Sequence, residues 1–191
     1  MLREKLKDYK IVLASGSPRR QQFFKELDLD FEIRIKEVEE IYPDTLQGVE
    51  ITNYLAKLKS AAFDNDIQPN EIIVTSDTIV WLDNKALGKP KDKQDAFLML
   101  QSMAGKTHEV ITSVCFKTKT NIDILNCVTR VTFNPISDAE ILFYIDKYQP
   151  FDKAGAYGIQ EWIGLMAIAK IEGSYTNVVG LPTDLVYRYL S

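Results

Sequence analysis

The segment EIIVTSDTIVWLD, Glu71–Asp83, is the most apolar strand-length run in the chain. A run of that length and apolar content belongs at the centre of a sheet. It also carries a carboxylate, Asp77, that ends the apolar strand before Thr78 returns to apolar sequence. Helical patterns stand on both sides of it. VEITNYLAKLKSAAF places Ile51, Tyr54, Leu55, Leu58 and Ala62 on one stripe, and DKQDAFLMLQSMAG has Asp92 to cap it and Gly105 to end it.

The same alternation runs through the rest of the chain. KIVLA reads as a buried strand and RRQQFFKELDL as a short helix with Phe23, Phe24 and Leu27 on its apolar face. FEIRIKEV alternates, which predicts a half-exposed strand with Phe31, Ile33 and Ile35 inward and charges outward. HEVITSVCFKT and IDILNCVTRVTF are two further strands. SDAEILFYIDKY is a helix with Ser137 and Glu140 in capping-box spacing. GLMAIAKIEGS reads as a late strand and PTDLVYRYL as a closing helix. The order predicts an α/β (α+β mixed) domain on a mixed sheet. Polar motifs cluster between elements, which predicts two lobes around a central cleft.

Composition narrows the function. The 191 residues are 46% hydrophobic and 26% charged, and such a chain can bury a core without disulfide or metal staples. Cys115 and Cys127 are too few for a structural zinc site or a disulfide framework, and reduced thiols are the expectation. No apolar run has signal-peptide or membrane-spanning length, so a cytoplasmic protein without a membrane partner is expected. A net charge of -4 argues against a nucleic-acid partner. A small anionic ligand remains open to a local basic cluster.

LASGSPRR, Leu13–Arg20, supplies such a cluster. Helix N-terminal N–H groups bind anions, Ser15 and Ser17 offer hydroxyls, and Arg19 and Arg20 can grip phosphate oxygens in pairs. The alternative is a capped helix with two solvated arginines. No P-loop motif occurs. Asp77 suits a metal ligand or general base, or a hydrogen-bonded aspartate in a turn. Lys89 follows after a turn at Asp83 and Asn84. Glu39 and Glu40 leave a strand, and Lys59 on its helix reads alone as a surface lysine. In DKAGAYGIQ, Gly155 and Gly158 permit close backbone approach to a ligand, or a tight turn packed by Tyr157; Gln160 has the donor and acceptor needed to read a base edge. Gly173 and Ser174 touch a ligand or bend the chain before the last helix. His108 is the only histidine and is assigned no catalytic role.

LASGSPRR, SDTIV, GKP, GKTHEVITSV, DKAGAYGIQ and GSYTNVVGLP occur in that order. Together they resemble the Maf family of nucleoside triphosphate pyrophosphatases, from about Lys10 to Leu190. SPRR, DT and AYGIQ resemble the branch acting on dTTP and UTP rather than the 7-methyl-GTP branch. The resemblance implies a single Maf-like domain over residues 1–191, with a Maf/ITPase-like mixed twisted sheet, flanking helices and a cleft. It also implies a homodimer.

By the same resemblance, Asp77 is the proton acceptor, Arg19, Thr78 and Gln160 are tied to substrate choice, and Glu40, Lys59 and Lys89 match other active-site positions. Ser15, Ser17, Arg19 and Arg20 would hold the triphosphate with Lys59 and Lys89. Mg²⁺ or Mn²⁺ is expected on Glu40 and Asp77. The products would be monophosphate and pyrophosphate, with CTP or modified pyrimidine nucleotides as further substrates and pool cleaning as the purpose. The rival reading is a non-catalytic nucleotide-binding regulator linked to inhibition of septum formation. The chain departs from the family after Gln160, where glycines usually follow and EWIG stands here; Glu161 and Trp162 are placed to reshape the base pocket or a dimer contact.

Overall fold

A computed structural model describes residues 2–191. In chain order the elements are α1 (Leu2–Lys5), β1 (Lys10–Leu13), α2 (Pro18–Glu26), β2 (Phe31–Ile33), α3 (Val49–Ala61), β3 (Glu71–Leu82), β4 (Lys85–Leu87), α4 (Lys93–Met103), β5 (Thr107–Lys117), β6 (Ile122–Phe133), α5 (Asp138–Tyr148), α6 (Trp162–Ala167), β7 (Ile168–Glu172), α7 (Tyr175–Val179) and α8 (Thr183–Leu190), with a 3-10 turn at Ala154–Ala156. One mixed sheet of seven strands runs β2-β1-β3-β5-β6-β7, with β4 paired to β3. The mixed α/β class and the central place of β3 agree with the sequence.

The chain divides into two compact units. The first holds residues 1–77, 112–127 and 180–191. In it β1 pairs parallel with β2 and β3, with Val12 opposite Glu32 and Ile73. Its core gathers Ile11, Leu13, Phe24, Val74, Val114, Phe116, Val186 and Leu190. Phe24 is fully buried, and burying a side chain of that size contributes about 1.5–3 kcal/mol. The second unit holds residues 78–111 and 128–179. There β3 and β4 form a hairpin through Asp83 and Asn84, both at positive φ. β6 and β7 are antiparallel, with a bulge at Thr132–Phe133. Leu100, Met103, Phe133, Tyr144 and Ile163 form its core. Asp92 caps α4 through Asp95 N–H, and Ser137 and Glu140 close the capping box on α5, as their spacing predicts.

Four expectations are corrected. β2 ends at Ile33, and of the three expected inward residues only Phe31 packs on the core, against Phe24: Ile33 and Ile35 are exposed, while Arg34 pairs with the buried Glu71. Lys10–Glu32 and Lys36–Asp66 pairs lie on that same charged side. Beyond Phe31, ion pairing and not apolar burial orients this segment. On α3 the buried stripe is rotated to take in Thr52 and Ser60, and Tyr54 is exposed; Thr52 and Ser113 hydroxyls meet at 2.7 Å, so the buried polar groups are satisfied. β3 does not end at Asp77 but continues through it to Leu82. GLMAIAKIEGS is a strand only from Ile168, because its first residues complete α6. Both cysteines are free thiols.

Candidate functional site

The first unit carries a chain of charges. Asp77 lies in the middle of β3, Lys59 in the last turn of α3, and Glu40 in the irregular segment after β2. Lys59 Nζ is 2.7 Å from Asp77 Oδ1 and 3.1 Å from Glu40 Oε1. The lysine is thus no free surface residue; its side chain is 19% exposed and that of Asp77 7%, against 51% for Glu40. Asp77 Oδ2 is buried without a hydrogen-bond partner. A buried oxygen in that condition costs about 1–3 kcal/mol, which a proton donor or a cation would recover.

The serine–arginine turn is built on the same unit. β1 stops at Leu13 and Pro18 opens α2, where a missing N–H is harmless. Ser17 is the N-cap but its side chain makes no capping bond; Ser17 N–H donates instead to Ser15 Oγ at 3.3 Å. Arg20 reaches away from solvent. Its Nε donates to Gly180 O and its Nη1 to Ser76 O, both at 2.9 Å. Burial lowers the Arg20 guanidinium from its ordinary value, Asp77 opposes this, Arg19 adds to it and Glu40 opposes it. An arginine remains charged through such a shift. The structure therefore gathers Glu40, Lys59, Asp77, Arg19 and Arg20 into one electrostatic neighbourhood. It gives Arg20 a tethering task that the sequence did not reveal, since its partners are backbone carbonyls.

Thr78, Lys89 and Gln160 belong to the second unit. Thr78 follows Asp77 on β3 and is half-buried, Lys89 is exposed after β4, and Gln160 is exposed before α6. The glycines near Gln160 are explained by the protein's own packing. Gly155 has φ +68°, and a Cβ there would lie 2.7 Å from Val80 Cγ2; its N–H donates to Gly88 O at 3.0 Å. Gly173, at φ +130°, fits against Thr129, and Ser174 Oγ accepts from Asn177 N–H at the start of α7. Tyr157 is buried, as the tight-turn reading expected, with its ring 5.0 Å from Phe133. Tyr144 and Lys153, which the sequence did not single out, contact the Glu161 carboxylate beside this turn. Only Glu161 left a sign in the sequence, as a departure from a pattern.

His108 is 1% exposed and shares a 2.8 Å hydrogen bond with Tyr157 Oη. Burial pushes its imidazole down to about 4, against about 6.5 in an unfolded chain. Between those values the unfolded chain holds the extra proton, so stability falls as pH falls. From pH 7 to pH 5 this one group is expected to remove about 2 kcal/mol. Urea denaturation at pH 7 and pH 5 should show that loss in wild type and not in His108→Gln; equal losses in the two proteins would refute it.

Among the described residues no group of three or more His, Cys, Asp or Glu side chains gathers as a metal site. Glu40 and Asp77 are two hard oxygen donors, and Asp77 Oδ2 is unpartnered. Mg²⁺ commonly binds one or two carboxylates and completes its shell with water and phosphate oxygens. The residues present fit such an ion.

A sequence profile described as Maf-like protein matches residues 10–191. A curated relative from Flavobacterium johnsoniae, named dTTP/UTP pyrophosphatase, is 69% identical over 191 residues, covering 100% of this chain and 98% of its own. One from Bacteroides fragilis with the same name is 50% identical over 183 residues, covering 95% of each chain. The solved Ham1 protein of Staphylococcus aureus has a similar fold, with a TM-score of 0.54 and 14% identity over 95% of this chain and 97% of its own. No helix among the described residues is long and apolar enough to cross a membrane.

Proposed function

The chain belongs to the Maf family, and from that premise we propose that it hydrolyses dTTP and UTP to the monophosphate and pyrophosphate. The observation that carries the reading is the Asp77 carboxylate, buried on a central strand, ion-paired through one oxygen and unpartnered at the other. A carboxylate so placed is a general base with a fixed orientation. Support comes from relatives of nearly equal length that bear the activity in their names.

In this reading Asp77 Oδ2 takes a proton from water as the water oxygen bonds to the α-phosphorus. The α–β phosphoanhydride bond breaks, and pyrophosphate leaves with the bridging oxygen and its electron pair. Lys59 holds Asp77 Oδ1, so only one carboxylate oxygen turns to the water. Ser15, Ser17, Arg19 and Arg20, with Lys59 and Lys89, neutralise the triphosphate, and phosphoryl transfer depends chiefly on such positioning and charge. Arg20 does so from a guanidinium already fixed by two carbonyls. Gln160 reads the pyrimidine edge and Thr78 packs near the base or sugar. Glu40 and Asp77 would hold Mg²⁺ or Mn²⁺, which supplies charge to the phosphate oxygens when bound. The enzyme works as a cytoplasmic homodimer that clears unwanted pyrimidine nucleotides.

Products decide which anhydride bond breaks. With dTTP, UTP, CTP, GTP and 7-methyl-GTP in Mg²⁺ or Mn²⁺, the expected result is pyrophosphate plus monophosphate from dTTP and UTP. Release of orthophosphate plus diphosphate would place cleavage at the β–γ bond and overturn the scheme.

A further inference from the structure

Gln160 is exposed, yet the residues just before it are held in place. Tyr157 and Ile159 are buried on either side of Gly158. Gly158 N–H donates to Tyr144 Oη at 3.0 Å. An N–H can only donate, so the hydroxyl oxygen accepts there and its single hydrogen goes elsewhere. It goes to Glu161 Oε2. The other oxygen, Oε1, pairs with Lys153 Nζ at 3.1 Å, and that ammonium also meets Asp152 at 2.7 Å.

Every donor in the network Lys153–Glu161–Tyr144–Gly158 is thus assigned, and the donors converge on the Glu161 carboxylate. The network is also screened from water: the Lys153 and Glu161 side chains are 10% and 19% exposed, and Tyr144 is fully buried. Burial, with the Glu161 hydrogen bond second, raises the Tyr144 phenol above its ordinary range, so it keeps the proton it donates.

The carboxylate does a second thing. A Cβ on Gly158 would lie 2.9 Å from Glu161 Cδ and 3.1 Å from Lys153 Cε, so the two side chains pack flush on the glycine. Glu161 N–H closes the turn on Gly158 O at 3.0 Å, and Glu161 O takes the Gly164 N–H at 2.9 Å. Gln160 sits inside this turn, bracketed by Gly158 and Glu161. We propose that Glu161, through Tyr144 and Lys153, is a positioning residue that sets the direction of Gln160 and thereby the pyrimidine preference. The inference rests on Gln160 reading the base.

The test compares Glu161→Gln, Tyr144→Phe and Gln160→Ala with wild type in steady-state kinetics on dTTP, UTP, CTP and GTP, with amide exchange read at Gly158. Glutamine cannot accept from both Tyr144 and Lys153 with both of its polar atoms, and phenylalanine removes only the hydroxyl. Each of these two variants should raise KM for dTTP and UTP about tenfold, the scale of one charge-assisted hydrogen bond. Selectivity over GTP should narrow by about the same factor, kcat should change less than threefold, and Gly158 exchange should quicken. Gln160→Ala should narrow the same selectivity. A role in stability alone would lower the melting temperature and the active fraction, and would leave KM and selectivity in place. If Gln160→Ala alters selectivity while folded Glu161→Gln and Tyr144→Phe keep the wild-type values, the positioning role is wrong and the Gln160 reading stands. If Gln160→Ala changes nothing, that reading fails and takes the inference with it.

Discussion

Asp77→Asn is expected to lower kcat by about 100-fold or more, since general-base help is worth about 10²–10⁴-fold. The substitution keeps size and shape, removes the charge and the proton affinity, and turns one acceptor oxygen into an NH₂ donor. It leaves Lys59 with Glu40 as its carboxylate partner, 3.1 Å away. If Asp77 served only to satisfy Lys59 within β3, the variant would lose stability while each folded molecule kept turning over. Measuring kcat together with the thermal midpoint separates the two. A folded Asp77→Asn enzyme with more than about a tenth of wild-type kcat would remove Asp77 as the base.

Gly164→Ala is expected to cost about 3 kcal/mol or more, at the large end of single-substitution effects. A Cβ at this position would lie 1.7 Å from Ile159 O and 2.5 Å from Ile159 C. Both are backbone atoms, so no rotamer change relieves the overlap, and either α6 or the Gln160 turn must move. For a chain of this size the melting temperature should fall by about 6–12 °C. Gly88→Ala is the matched control, because a Cβ there meets nothing within 4 Å. It should shift the midpoint by less than about 2 °C. Differential scanning calorimetry reads both, and a Gly164→Ala midpoint equal to wild type would mean the turn is looser than drawn.

Sequence pattern was a good guide where apolar content decided the outcome. β3, β5 and β6 were visible as long apolar runs, and the caps at Asp92 and Ser137 were visible because their chemistry is local. It misled where partners came from afar. Ile33 and Ile35 looked inward by alternation, but Glu71, 37 residues beyond Arg34, draws the charged face in. The apolar stripe on α3 leaves out Thr52 and Ser60, yet both are buried and the Thr52 hydroxyl finds Ser113 across 61 residues. In the candidate site, residue types at motif spacing marked Asp77, Arg19, Arg20 and Gln160. That Lys59 and Glu40 would join Asp77 was not visible from either residue's own neighbours. Tyr144 carried no mark at all, since an aromatic residue on a helix stripe reads as core, and it is core by burial while its hydroxyl serves the turn.

The Arg20 tether has a consequence in time. One guanidinium joins the head of α2 to Ser76, 56 residues on, and to Gly180, 160 residues on. The unit that holds Asp77 is assembled from three stretches of chain, the last beginning at Gly180. On a ribosome, where synthesis proceeds at roughly 5–20 residues per second, the serine–arginine turn emerges 160 residues before the Gly180 carbonyl that anchors it. Over that stretch of synthesis Arg20 stays without this anchor. The tether closes only when the segment that begins at Gly180 docks on its unit.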